Sequence, residues 1–220
     1  MSHQSTHPDA GPLRQRSRVK SFVLPAVAVV LLAAMAWDTT VVTMGSEQDA
    51  RTAGFSPEAF GVAEFPGIRD AVTERAVDAK TLADAIAADK AAAIAQYGTP
   101  TGIGGIFAVS FTGVVGEGKS GIYPVAVEGM GDAPLIRVQT GPAINGTDLR
   151  DVTGTIAFGQ FTNQIEYQNA GAALNTEVKA QVLADLDQST LTGKTVQVVG
   201  VFSLVNPKSW LVTPVRFDVQ

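Results

Sequence analysis

Hydrophobic and polar positions alternate in three different textures along this chain, and each texture predicts a different kind of element. Ser21 to Trp37 is an uncharged apolar run directly behind Arg14, Arg16, Arg18 and Lys20. Asp38 to Phe55 is mixed and polar, with Gly45 and Gly54, and reads as a linker with one short strand at Thr39–Met44. Ser56-Pro57-Glu58 then carries a helix start, Ser as N-cap and Pro at the first helical position, and Gly61 is expected to end that helix. Ile68, Val72, Ala76, Ala79, Leu82, Ile86, Ala93, Ile94 and Tyr97 follow at three- and four-residue steps. That spacing is the stripe of one long amphipathic helix, stopped by Gly98 and Pro100. Its charges Asp70, Glu74 and Asp78, interleaved with Arg69, Arg75 and Lys80, read as a solvated face or as a docking surface.

From Gly102 the period changes. Ile106–Val115, Ile122–Val127 and Leu135–Thr140 are apolar and β-branched, and Thr153–Phe161 reads as a fourth strand or a continuation of the third. Ala170–Asp187 reads as a helix with Leu174, Val178, Val182 and Leu186 on one side, and Asn169 as its cap. Thr195–Leu204 and Trp210–Val219 form a final hairpin around Asn206-Pro207. Strands, one helix, then a closing hairpin is the order of an OB-type barrel. The fold class expected is therefore α+β: an N-terminal membrane helix, a long amphipathic helix, then an OB-like barrel of five to six strands. A β-sandwich with an added helix is the alternative. The expected organisation is a basic tail at 1–20, a membrane or signal segment at 21–37, a linker and helical segment at 38–101, and the barrel at 102–220.

Charge sets the orientation of these parts. The net charge is −5, with +3 in residues 1–37 and hence −8 beyond them. Basic residues ahead of an apolar run place the tail in the cytoplasm and the bulk of the chain outside. The run sits at the short end of the roughly 17–25 residues that span a bilayer. It reads either as an uncleaved anchor, with Trp37 at the interface, or as a signal segment cut after Ala34-Met35-Ala36. Either way the acidic domain is periplasmic, and its charge argues against nucleic acid as a partner. Cysteine is absent, and the only histidines are His3 and His7. The domain therefore has no imidazole base, thiol nucleophile, disulfide or His/Cys metal site, and no cofactor or metal ligand set is expected in it.

Gly113-Val114-Val115-Gly116-Glu117-Gly118-Lys119-Ser120 matches the phosphate-binding pattern G-x-x-x-x-G-K-[ST] at every fixed position. That loop needs a helix N-terminus after it, and Gly121-Ile122-Tyr123-Pro124-Val125 reads as a return strand instead. A glycine-rich hairpin is expected over 113–120, and no nucleotide.

Residues 138–175 concentrate side-chain amides (Gln139, Asn145, Gln160, Asn163, Gln164, Gln168, Asn169, Asn175) beside Asp148, Arg150, Asp151, Glu166, Phe158, Phe161 and Tyr167. Amides and carboxylates bond hydroxyls directionally while a ring covers the C–H face, which is the chemistry of a sugar or polyol site. The candidate ligand-binding residues are Asp148, Arg150, Asp151, Asn163, Gln164, Glu166, Tyr167 and Asn169. The structural alternative uses the same residues as turns, caps and an ion-pair cluster. Asp148, Asp151 and Glu166 are the carboxylates a saccharide hydrolase would use, but no nucleophile motif accompanies them and a catalytic role is not expected. Asn145-Gly146-Thr147 also fits a glycosylation sequon, a weak pattern.

The segments IRVQTGPAINGTDLRD, TGTIAFGQFTNQIEYQNAGAALN and LTGKTVQVVGVFSLVNPKSWLVTPV resemble an uncharacterised bacterial family of predicted periplasmic lipoproteins, from about Trp37 to the C-terminus. The resemblance implies a periplasmic location and a gene context beside sugar ABC-transport operons, without an activity or catalytic residues. Without cysteine this chain departs from the lipid-bearing pattern, so Ser21–Trp37 would have to hold it to the inner membrane. The expected function is a non-catalytic accessory or binding module for a sugar-like solute or a sugar ABC transporter component. A structural scaffold for an envelope complex is the alternative, and a hydrolase with paired carboxylates the second.

Overall fold

The computed structural model describes residues 54–220 apart from 103, 132 and 133. The tail, the Ser21–Trp37 segment and the strand expected at Thr39–Met44 lie outside the described residues. Three helices come first: α1 (Pro57–Arg75), α2 (Ala79–Ala88) and α3 (Lys90–Tyr97), with a two-residue strand β1 (Val77–Asp78) between α1 and α2. Strands β2 (Gly98–Thr101), β3 (Gly104–Val115), β4 (Ile122–Val127) and β5 (Leu135–Gln139) follow. One turn of helix α4 (Asp148–Asp151) and helix α5 (Gln164–Glu177) lead to the final hairpin, β6 (Thr195–Ser203) and β7 (Ser209–Val219).

The single long helix is not formed, and the reason lies in the caps. Ser56 does start α1, its hydroxyl accepting from Ala59 N–H. The helix then runs through Gly61, which packs against Ala173, and through Pro66 to Arg75. The chain turns extended at Ala76. Asp78 restarts it by accepting from the N–H groups of Lys80 and Thr81, and Asp89 does so again for Ala91 and Ala92. An aspartate side chain that takes two orphan N–H groups favours a new N-terminus over an uninterrupted helix. The expected charged face is dismantled with it: Asp78 is a cap, and Arg75 donates to Val152 O and Thr99 Oγ1.

The strands close in the order β3-β4-β5-β7-β6, with β6 pairing back to β3 from Val114↔Thr195 to Ile106↔Ser203. The β5–β7 pair is parallel, while the β3–β4, β4–β5, β6–β7 and β3–β6 pairs are antiparallel. A five-stranded closed barrel with this helix placement is the OB fold, and β1 and β2 add short pairings along the free stretch of the β3 edge. A bulge between Val199 and Gly200 lets the wall turn. A Cβ on Gly200 would stand 2.5 Å from Thr213 O, so only glycine passes there.

Two apolar clusters share the barrel wall. Inside, Phe107, Val109, Phe111, Ile136, Val138, Val198, Phe202, Trp210 and Val212 are sealed by Leu82, Ile86 and Ala93 of α2 and α3. Trp210 stacks on Phe202 at 4.4 Å between ring centroids. Outside, Phe65, Ile68 and Val72 of α1 and Leu174 of α5 cover Ile106, Ala108, Val199, Val201 and Val215. Phe65, Val72, Leu174 and Val201 are all solvent-free, so by area alone each contributes roughly 1.5–3 kcal/mol.

Two further expectations fail. Thr153–Phe161 is not a strand but a turn followed by a 3₁₀ turn at Phe158–Gln160, since no partner strand lies beside it. The helix expected from Ala170 begins at Gln164 and ends in a single π turn at Val178–Val182. Asn163 rather than Asn169 is its cap, because Asn163 Oδ1 reaches Glu166 N–H at 2.9 Å.

Candidate functional site

The amide-rich stretch folds onto one side of the barrel, and most of its polar groups meet one another. Arg150 is 7% exposed. Its Nε and Nη2 donate to the two oxygens of Asp151 at 2.6 and 2.9 Å, and Nη1 donates to Tyr167 O at 3.0 Å. The guanidinium carbon also stands 3.5 Å from the centroid of the Tyr167 ring. A planar fork with two carboxylate contacts and a ring beneath it is the arrangement arginine makes and lysine cannot. Asp151 accepts in addition from Thr147 Oγ1 at 2.8 Å and from Tyr167 Oη at 3.3 Å. The Tyr167 hydroxyl is pushed above its ordinary value, first by burial and then by the Asp151 charge.

Asp148 belongs to a different contact. Its oxygens accept from Ser203 Oγ at 2.6 Å and Ser203 N–H at 3.2 Å, which ties α4 to the end of β6. Burial raises its pKa above the ordinary carboxylate value, the Ser203 hydrogen bonds oppose that rise, and the Asp151 charge adds to it.

The remaining candidates divide. Asn163 and Glu166 form the N-terminal cap of α5, Glu166 Oε2 accepting from Thr162 N–H at 2.8 Å. Gln164 and Asn169 are exposed on that helix and make no side-chain hydrogen bond among the described residues. The aromatics of the stretch also pack on each other: Phe161 meets Phe55, Phe60 and Tyr167, and Phe158 meets Tyr167, at 5.2 to 5.8 Å between centroids.

Two amides outside the candidate set are committed to the fold. Gln139, 2% exposed, donates to Thr213 Oγ1 at 2.8 Å and Asn145 O at 3.0 Å, and accepts from Asn145 N–H at 2.9 Å. Asn175 donates to Gly146 O at 2.9 Å. Both hold the connection from β5 to α4 against the barrel in place of a strand partner.

The glycine-rich 113–120 segment turns back on itself as expected. Lys119 and Ile122 exchange backbone hydrogen bonds at 3.0 and 3.1 Å, Ser120 and Gly121 have positive φ, and β4 begins at Ile122. No helix N-terminus follows the loop, so the amide cradle of a phosphate-binding loop is not assembled.

Beside the cluster lies a groove of about 450 Å³, open to solvent, whose walls come from β5, β7, α4, the β5–α4 connection and the β6–β7 turn. Arg137, Ser203, Asn206 and Ser209 line it together with Asp148 and Asn145. Arg137, Ser203, Asn206 and Ser209 were not among the expected site residues. Arg137 had a signal in the sequence: it is a charged residue in the strand Leu135-Ile136-Arg137-Val138-Gln139, whose alternation sends it to the outer face with Gln139. The serines and Asn206 had none, since they are ordinary strand-end and turn residues. Among the described residues no group of His, Cys, Asp and Glu is placed to hold a metal ion, and no helix is long and apolar enough to cross a membrane.

Comparison with known proteins agrees with this architecture. The family model described as "Predicted periplasmic lipoprotein (DUF2291)" matches residues 26–218. Among solved structures, the chain is similar to an OB-fold protein from Thermotoga maritima MSB8. The TM-score is 0.63 over 76% of this chain and 99% of that one, at 19% identity. No curated protein matches the chain.

Proposed function

The chain belongs to the family of predicted periplasmic lipoproteins, and from that premise we propose that it is a non-catalytic binding module held at the periplasmic face of the membrane. One observation carries the non-catalytic reading: the carboxylates of the richest polar region are occupied. Asp151 is held by Arg150, Thr147 and Tyr167, Asp148 by Ser203, and Glu166 by the α5 cap. A glycosidase needs two carboxyl groups facing each other across an open gap of roughly 5–9.5 Å, and these three face neighbouring donors instead. With those carboxylates committed, we place the solute site beside this cluster rather than on it.

The 220 residues contain no cysteine to carry a lipid, so we assign the tether to Ser21–Trp37, as a single inner-membrane pass. The partner implied by the gene context of the resemblance is a sugar transporter or the solute it handles. A scaffold role is the second reading. It is favoured by Phe158 and Ile165, 49% and 67% exposed around the start of α5, since exposed apolar side chains of that size suit a protein contact.

The test is thermal unfolding of the full-length protein against millimolar sugars, polyols and sugar acids, with each compound recovered and analysed afterwards. A ligand at about 100 times its dissociation constant adds roughly 2.7 kcal/mol, which raises the midpoint by several degrees. We expect at least one compound to do so and to be recovered unchanged. Conversion of the compound would overturn the non-catalytic reading, and a flat panel would replace solute binding with the scaffold.

A further inference from the structure

We infer that the groove over β5 and β7 is a binding site for a small hydroxylated carboxylate, a sugar acid or related hydroxy acid, with Arg137 as its anchor. This rests on the solute-binding reading and gives it a place and a ligand class. Where other OB folds bind oligomers on the second and third barrel strands, this groove lies against the third and fifth, β5 and β7.

Arg137 differs from Arg150 in what its guanidinium meets. Nη2 donates to the neutral Ser209 Oγ at 3.1 Å. Nε is shielded from solvent and has no acceptor among the described residues. No carboxylate of the described residues ion-pairs with Arg137, whereas Arg150 takes both oxygens of Asp151. With Nε shielded, the N–H groups a solute would meet are those of Nη1 and Nη2, and a planar carboxylate matches that edge by accepting from both at once. The one carboxylate on the groove wall, Asp148, is committed to Ser203.

The other walls describe the rest of the ligand. Asn145 reaches the scaffold only through its backbone, which Gln139 brackets, so its side-chain amide is free over the groove. Asn206 uses Oδ1 to accept from Lys208 N–H and keeps its NH₂ group unbonded. Free amides at two points of a groove of this size suit hydroxyls beyond the carboxylate. Val205, 75% exposed, and Leu211 give an apolar flank for C–H groups. A single arginine supplies one positive charge, which matches a monoanion rather than a phosphate dianion.

The experiment is thermal unfolding of the full-length protein with gluconate, glucuronate, glucose and glucose 6-phosphate at matched ionic strength, for wild type, Arg137→Gln and Asn145→Ala. We expect a midpoint increase with a sugar acid that exceeds those of glucose and the phosphate, is lost in Arg137→Gln and is reduced in Asn145→Ala. Asn145→Ala leaves the backbone contacts to Gln139 in place, so it reads the groove even if the arginine variant folds poorly. A response to glucose alone would overturn the carboxylate assignment and leave solute binding standing. A sugar-acid response unchanged in both variants would overturn the site. No response to any probe would overturn the assignment of this ligand class, and a flat panel with all other solutes would be needed to remove solute binding itself.

Discussion

Along β3 and β6 both faces of the barrel wall are buried. Phe107, Val109, Val198 and Phe202 point inward, and Ile106, Ala108, Val199 and Val201 lie under α1 and α5. Along β5 and the start of β7 the inward residues Ile136, Val138, Trp210 and Val212 are buried in the barrel core, while the outer α1–α5 cluster takes in Val215 of β7 and no residue of β5. Their outward neighbours Arg137, Gln139 and Leu211 meet a pinned loop and an open groove. One closed sheet therefore has a wall given over most of its length to packing, exposed only toward Thr112, Val114 and Gln197, and a wall with room for polar chemistry. The difference shows in composition: the packed wall is a near-continuous apolar run, as a strand buried on two sides must be, and the open wall alternates. Two arginines mark the same division. Arg150 is paired with a carboxylate and holds α4 to α5 through all three of its nitrogens, while Arg137 meets only a hydroxyl.

The two walls should respond most differently to a buried charge. Val201→Asp on the packed wall should cost at least about 4 kcal/mol and abolish cooperative unfolding, because a buried carboxylate there has no partner. Leu211→Asp on the open wall should cost about 1 kcal/mol. Urea denaturation of the two variants decides it, and equal losses would mean that the walls do not differ. A smaller contrast is expected between the arginines. Arg150→Met should cost about 3 kcal/mol, since it leaves Asp151 partly buried without its cation, whereas Arg137→Met should stay within about 1 kcal/mol. If chemical denaturation showed Arg150→Met to be neutral, the Asp148–Asn169 surface would again be open to a solute. The finest distinction lies within α5. Asn163→Ala should lose about 1 kcal/mol as a cap, while Gln164→Ala and Asn169→Ala should change stability by less than about 0.5 kcal/mol.

Much of this architecture is legible in the residues. The strands from Ile106, Ile122, Leu135, Thr195 and Trp210 and the helix before the last hairpin follow from period-two and 3.6-residue patterning, and their order points to the OB barrel ahead of a β-sandwich. The N-terminal helices are not separable in the sequence because the stripe from Ile68 to Tyr97 keeps its period across two breaks. The breaks are set by Asp78 and Asp89, whose capping depends on where the chain turns and not on hydrophobicity. Thr153–Phe161 has strand composition but no neighbour to pair with, a tertiary fact that β-propensity does not contain. The candidate site was half legible for a similar reason. Arg150, Asp151 and Tyr167 are together in space, as are Asn163 and Glu166, but proximity in a polar cluster does not tell bonding to solute from bonding within the chain. Arg137 stood out only once its strand acquired an outside.

The ladder between β3 and β6 also constrains how this protein can mature. β3 ends at Val115, and the strand that completes the wall does not begin until Thr195. One long apolar strand therefore waits for its partner while the 79 residues between them, 116–194, are made. The loop to be closed is long and its contacts are distant in sequence, so folding should be slow beside that of a helical domain of the same size. During that interval α1, α2 and α3, already emerged, are the segments available to shelter β3.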